Sequence, residues 1–260
     1  MCGLVGVLLY PSSRSDDDWQ TIRTLFTRML ISHEERGREA AGLALVQGDG
    51  SCHTVKKPVT ASEFVQSEEY HELLRLSGAG TTCLLGHTRM PTKGSPLSAA
   101  NNHPLRTAHT VGIHNGTILN DDELFVRLSL PRQGQVDSEI IFRLLDGVNP
   151  VSENGRYLAL VRRRVSLLLG YFSTLSIDLR HPTQLLVLKH MMPLCLHYEP
   201  DLQALFFNSR YMFLRQAFGR AVIAEALQAE RGYIFDAERL PELGQAPVQS
   251  FSLSNNGLMW

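Results

Sequence analysis

Cys2-Gly3-Leu4-Val5-Gly6-Val7-Leu8-Leu9-Tyr10-Pro11, directly behind Met1, is the stretch on which the reading of this chain turns. A short apolar run with β-branched residues, ended by Pro, predicts a buried strand that begins at the extreme N-terminus. Behind it, Ser15-Asp16-Asp17-Asp18 supplies helix-start chemistry, and Ile22, Leu25, Phe26, Met29 and Leu30 recur at helical spacing. The opening unit is a strand followed by an amphipathic helix, with a thiol at the head of the strand.

Working outward, residues 42–46 predict a second strand stopped by the turn Gly48-Asp49-Gly50. Residues 61–77 are helical in pattern. Residues 83–87 and 110–114 read as short strands that run into polar, Gly-bearing loops. Helices are expected over 136–145 and 151–165, strands over 167–177, 185–189, 194–197 and 205–207, and a helix over 210–218. Two strand-rich zones separated by helices suggest an α+β architecture of two stacked sheets flanked by helices. Neither a linker composition nor a repeat divides the chain, so one domain over residues 2–260 is expected.

The 25 Lys and Arg against 26 Asp and Glu leave a formal charge of -1, so no global field draws the protein to nucleic acid or membrane. Arg162-Arg163-Arg164 lies beside apolar residues and reads as the wet face of a helix; no direct nucleic-acid contact is expected. The N-terminus lacks the basic start and length of a signal peptide, and no apolar run approaches the roughly 20 residues that span a bilayer. The default compartment is the cytoplasm.

Cysteines 2, 52, 83 and 195 form no CxxC pair, which argues against a zinc ribbon or a disulfide scaffold. His87, His103, His109 and His114 show neither HxxxH nor HExxH spacing. Gly78-Ala79-Gly80 lacks the third glycine of a dinucleotide loop. Neither metal nor cofactor is expected.

Chemistry gathers elsewhere. Cys2, once Met1 is removed, carries a thiol nucleophile and an α-amine of unperturbed pKa about 7.7 to 8.0, which can serve it as general base. Attack on an amide creates an oxyanion that needs two preorganised donors, and His114-Asn115-Gly116 offers a side-chain amide followed by a backbone that can turn. A free amino acid needs one fixed cation and one fixed anion. Arg89 can supply a bidentate fork for a carboxylate, and Asp137 can pair with an ammonium.

Six blocks carry a resemblance: residues 2–6, residues 35–42 (Glu-Arg-Gly-Arg-Glu-Ala-Ala-Gly), residues 86–94 (Gly-His-Thr-Arg-Met-Pro-Thr-Lys-Gly), Asn102-His103-Pro104, residues 114–118, and Asp137-Ser138-Glu139. In this order they resemble the glutaminase domains of class II glutamine amidotransferases, such as those of glucosamine-6-phosphate synthase and glutamine phosphoribosylpyrophosphate amidotransferase. The resemblance implies the N-terminal nucleophile hydrolase αββα sandwich, with its specificity concentrated in the first 140 residues.

Carried over position by position, it implies Cys2 as nucleophile, Asn115 and Gly116 as oxyanion hole, Arg89 on the glutamine carboxylate and Asp137 on its ammonium. Arg36 would brace Cys2 and Asn115, Thr92 would line the glutamine pocket, and His87 and His114 sit in supporting places within the same motifs. Three positions depart from the pattern: Met90 where an aromatic residue is common, Lys93 where His or a small residue is common, and Glu39 for Asp. These bear on closure over glutamine and on ammonia coupling more than on the nucleophile.

The expected activity is hydrolysis of L-glutamine to glutamate and ammonia. No acceptor-binding domain is expected within 2–260, so a separate synthetase or transferase would receive the ammonia; self-association stays open. Two rival readings share the fold: a non-catalytic glutamine-sensing or assembly subunit, and a hydrolase of another γ-glutamyl compound or amide.

Overall fold

The structure, a computed structural model, describes residues 2–151, 155–245 and 248–253. Its strands are β1 (Gly3–Leu9), β2 (Ala40–Gln47), β3 (Cys52–Lys57), β4 (Thr81–Arg89), β5 (Leu105–Arg106), β6 (Thr110–Ile118), β7 (Gly170–Asp178), β8 (Gln184–Lys189), β9 (Cys195–Glu199), β10 (Ala204–Asn208), β11 (Glu225–Ala226), β12 (Arg231–Asp236) and β13 (Gln249–Ser252). The helices are α1 (Asp16–Ser32), α2 (Ala61–Phe64), α3 (Glu68–Arg75), α4 (Asp121–Arg127), α5 (Glu139–Asp146), α6 (Tyr157–Val165) and α7 (Tyr211–Phe218).

The strands form two antiparallel sheets, ordered β11-β9-β10-β1-β4-β2-β3 and β13-β12-β8-β7-β6-β5. The opening strand is central to its sheet because it is apolar on both faces. Val5, Val7 and Leu9 pack outward on α1, α2, α3 and α7, while Leu4 and Leu8 pack inward on the second sheet. The second sheet covers its outer face with α4, α5 and α6. The result is the expected sandwich of helices, sheet, sheet and helices.

Local chemistry explains most boundaries. Ser15 caps α1 through the Asp18 N–H at 3.1 Å, and Asp18 returns the bond to the Ser15 N–H at 3.1 Å, a capping box that fixes where the helix starts. The helical pattern over 61–77 resolves into two helices, because the chain turns after Phe64 and restarts at Ser67, the N-cap residue of α3. The expected strand over 167–177 begins at Gly170, and the helix expected over 151–165 begins at Tyr157, with 152–154 outside the described residues. In α6, Val161 and Val165 are buried while Arg163 is exposed, so the arginine run does sit on a wet face.

Candidate active site

Antiparallel pairing brings the motif residues together. Cys2 stands at the head of β1, and β4, on one side of it, delivers His87 opposite Leu4 and Arg89 at its end. On the other side the chain leaving β10 places Ser209, whose hydroxyl accepts the Leu4 N–H at 2.7 Å. From the second sheet, β6 brings Asn115 and Gly116 opposite Ser173 and Phe172.

Cys2 Sγ lies 3.4 Å from both the N–H and the carbonyl of Met90. The Cys2 carbonyl accepts from Arg36 Nε at 2.9 Å; Gly37 meanwhile lies against the Arg89 backbone. Cys2, Arg89, Thr92, Gly116 and Asp137 line one cavity of about 20 Å³, together with Met90, Lys93, His103, His114, Val136 and Ser138. A cavity of that size holds one water.

Asn115 lies beside Gly116 on the inter-sheet face, the face Val111 and Ile113 use, but it does not line the cavity. Both its amide atoms are buried without a partner among the described residues. Gly116 has φ +138°, and a Cβ there would stand 1.9 Å from the Tyr171 carbonyl, so the position admits only glycine.

The two charged residues are tied down differently. Arg89 Nη1 donates to Asn102 Oδ1 at 2.8 Å, and Nη2 donates to the carbonyls of Lys93 at 2.7 Å and Gly94 at 2.8 Å. Asp137 Oδ2 accepts the Ile118 N–H at 2.7 Å, and among the described residues Oδ1 has only a 3.5 Å contact with the Ser138 hydroxyl. That hydroxyl is 2.6 Å from His114 Nδ1. His87 Nε2 donates to the His114 carbonyl at 3.0 Å, and the His103 ring lies 4.2 Å from that of His87.

Burial sets the protonation states. It pushes the Cys2 thiol above its ordinary value, against the pull of the Met90 backbone contact and the Arg89 charge. It drives His87 down to about 3 and lowers His103 and His114 as well, the last against the pull of Asp137, so these rings are held neutral near pH 7. Imidazoles whose proton affinity burial has lowered this far are poor acceptors for the thiol proton, so its base lies elsewhere.

Asn102, His103, Val136 and Ser138 were given no role from the sequence, although Asn102-His103-Pro104 was one of the ordered blocks. The signal was there as a motif, but the contact of Asn102 with Arg89 required the fold. A larger cleft, about 710 Å³, opens at the lateral edge between β9 and β12, and no residue singled out from the sequence lines it. Among the described residues, no group of His, Cys, Asp and Glu is placed to hold a metal ion, and no helix is long and apolar enough to cross a membrane.

No family model matches the chain. Over 199 residues it is 31% identical to the glutamine-fructose-6-phosphate aminotransferase (isomerizing) of Salmonella typhimurium, a match covering 75% of this chain and 29% of that protein. It is 26% identical over 212 residues to the 7-cyano-7-deazaguanine synthase of Sulfolobus acidocaldarius, covering 80% and 43%. The chain thus spans less than half the length of these curated relatives. Its structure superposes on the glutamine phosphoribosylpyrophosphate amidotransferase of B. subtilis with a TM-score of 0.72, at 19% identity, over 98% of this chain and 50% of the other. Homology in sequence and agreement in fold place the chain among the class II glutamine amidotransferases of the N-terminal nucleophile type.

Proposed function

We propose that the protein hydrolyses L-glutamine through Cys2 and hands the ammonia to a separate acceptor-binding synthetase or transferase. The observation that carries this reading is the convergence of Cys2, Arg89, Gly116 and Asp137 on one small cavity. Arg89 and Asp137 take the carboxylate and ammonium of glutamine, which leaves the γ-amide facing the thiol.

Because burial keeps the thiol protonated and makes the nearby imidazoles poor proton acceptors, the α-amine of Cys2, freed by removal of Met1, takes the thiol proton. Sulfur attacks the amide carbon, and the oxyanion is held by the Asn115 amide and the Gly116 N–H, a use that accounts for the unpartnered Asn115 side chain. The ammonium returns its proton to the leaving nitrogen, which departs as ammonia. Water then cleaves the thioester to glutamate and regenerates the thiol.

The acceptor is not set by this site. The names of the two relatives refer to different products, and both proteins extend far beyond the matched region. Ammonia lost to solvent would be wasted, so turnover should be low alone and rise when the acceptor-binding chain is added.

The test is ammonia release from glutamine by protein whose intact mass shows Met1 removed, beside Cys2→Ala. Loss of at least about a thousandfold on substitution is expected. Equal release from both proteins would refute the nucleophile and leave a glutamine-sensing role. Faster cleavage of γ-glutamyl peptides than of glutamine would move the reading to another amide substrate.

A further inference from the structure

Thioester cleavage needs a water in place beside Cys2, and two imidazoles of the same cavity have nitrogens free to hold one. His103 and His114 both line the cavity and are 4% and 2% exposed. The Ser138 hydroxyl lies 2.6 Å from His114 Nδ1, and His114 Nε2 is buried without a partner among the described residues. Ser138 is the N-cap residue of α5, yet its side chain caps no helix N–H, so the hydroxyl is left to fix the angle of the His114 ring. The His103 ring lies 4.2 Å from that of His87, and both its nitrogens are buried without a partner among the described residues.

A neutral imidazole offers one donor and one acceptor, so either ring can bond a water. The spacing suits a single bridging molecule. Two hydrogen bonds of about 2.9 Å that meet at a bent oxygen separate their nitrogens by roughly 4.7 Å. The ring centroids of His103 and His114 stand 6.4 Å apart, which spans that separation with the body of a ring on either side. The cavity, about 20 Å³, holds one water, and Cys2 is another of its walls. His87, whose Nε2 is spent on the His114 carbonyl, does not line it.

We infer that His114 Nε2 and His103 hold the hydrolytic water beside Cys2, so that these two rings serve the second half of the reaction, cleavage of the thioester, and not the first. The inference rests on the Cys2 chemistry proposed above and adds residues to its last step. The water oxygen bonds to the thioester carbon, and one water proton passes to the α-amine of Cys2. The carbon–sulfur bond then breaks with its electron pair on sulfur, which takes that proton from the ammonium. Because burial makes both rings poor proton acceptors, they orient the water by hydrogen bonds and leave its proton to the amine.

The test uses the full chain with Met1 removed, turning over glutamine in the presence of hydroxylamine, which competes with water for the thioester. The ratio of γ-glutamyl hydroxamate to glutamate reads cleavage by water whichever step limits turnover, while ammonia release reads the first half. His114→Asn keeps a polar group in place of Nδ1 for Ser138 and removes Nε2. His103→Phe keeps a ring and removes both nitrogens. Each should raise the ratio about 10²-fold, the size of effect expected when a reactant loses its position, with a far smaller fall in ammonia release at saturating hydroxylamine. Ser138→Ala should raise the ratio by less.

Both main variants delete unpartnered buried nitrogens, so their unfolding midpoints, measured alongside, should stay close to the parent's. An unchanged ratio in either folded variant would overturn the water site and leave the glutamine reading standing. Ammonia release that falls as deeply as glutamate formation would overturn it too, since the rings would then act in the first half. Neither hydroxamate nor glutamate from the unsubstituted chain would overturn the glutamine reading itself.

Discussion

The two ends of the inter-sheet space are built by the same strands with opposite chemistry. At one end the facing positions are Leu8 on β1, Cys83 on β4, Leu205 on β10, Val111 on β6, Ile177 on β7 and Leu185 on β8, all in one apolar core. At the other end the same faces carry Cys2, His87 and Arg89, Ser209, Asn115, Ser173 and Lys189. Each strand changes character along its length with its period of two intact, and antiparallel pairing puts every polar half at the same end. The apolar end holds the sheets together, while the polar end contains buried groups without a hydrogen-bond partner among the described residues, including the Asn115 amide and the ring nitrogens of His103, which weaken folding.

That contrast can be broken most forcefully at the apolar end. Phe207 is fully buried and packs edge-on to Phe235, so Phe207→Ala should cost about 3–5 kcal/mol of stability, read by denaturant unfolding, with little change in KM for glutamine. Asn115→Ala at the polar end should invert the pattern. It should lower kcat for glutamine about 10²- to 10³-fold while leaving stability unchanged or slightly raised, because an unsatisfied buried amide is removed. A large loss of stability in Asn115→Ala would show that its amide has a structural partner.

Acid should find the polar end first. His87 at this end, and His33 on the outer face of the first sheet, are held down to about 3, mainly by burial, so between that value and the ordinary imidazole pKa the unfolded chain binds more protons than the folded one. Stability therefore rises with pH through this window, and going from pH 7 to pH 5 should cost on the order of 2 kcal/mol per histidine, measured as the shift in unfolding free energy. A flat profile would mean that the buried rings are hydrated.

The smallest effect sharpens the boundary between the two ends. Ser209→Ala strips the Leu4 N–H of its acceptor, so stability should fall by about 1 kcal/mol, again read by denaturant unfolding. The same change loosens the strand that carries Cys2, so kcat should fall by a small factor with KM nearly constant.

The opening strand, the capping box of α1 and the six ordered motifs were legible because each rests on neighbours in sequence: a period, a cap or a short block. β3 is not legible in the sequence because an edge strand reading Cys-His-Thr-Val-Lys-Lys, only partly buried, lacks an apolar face. The helix α4 was missed too, although it supplies the carboxylates that hold Lys93. β12 and β13 complete the second sheet only by pairing with β8 and with each other, information that lies far away in the chain.

By itself the sequence marked which side chains are candidates for the chemistry, because a nucleophile, an amide-glycine pair and a cation-anion pair are properties of residue types in order. Only the tertiary structure decided that Cys2, Arg89, Gly116 and Asp137 share one cavity, that Asn102 and the Lys93 and Gly94 carbonyls hold Arg89, and that Lys93 pairs with α4. The physical reason is that hydrogen bonds and ion pairs depend on distances between segments. Local patterning sets which strands form, but those distances exist only once two sheets have packed face to face.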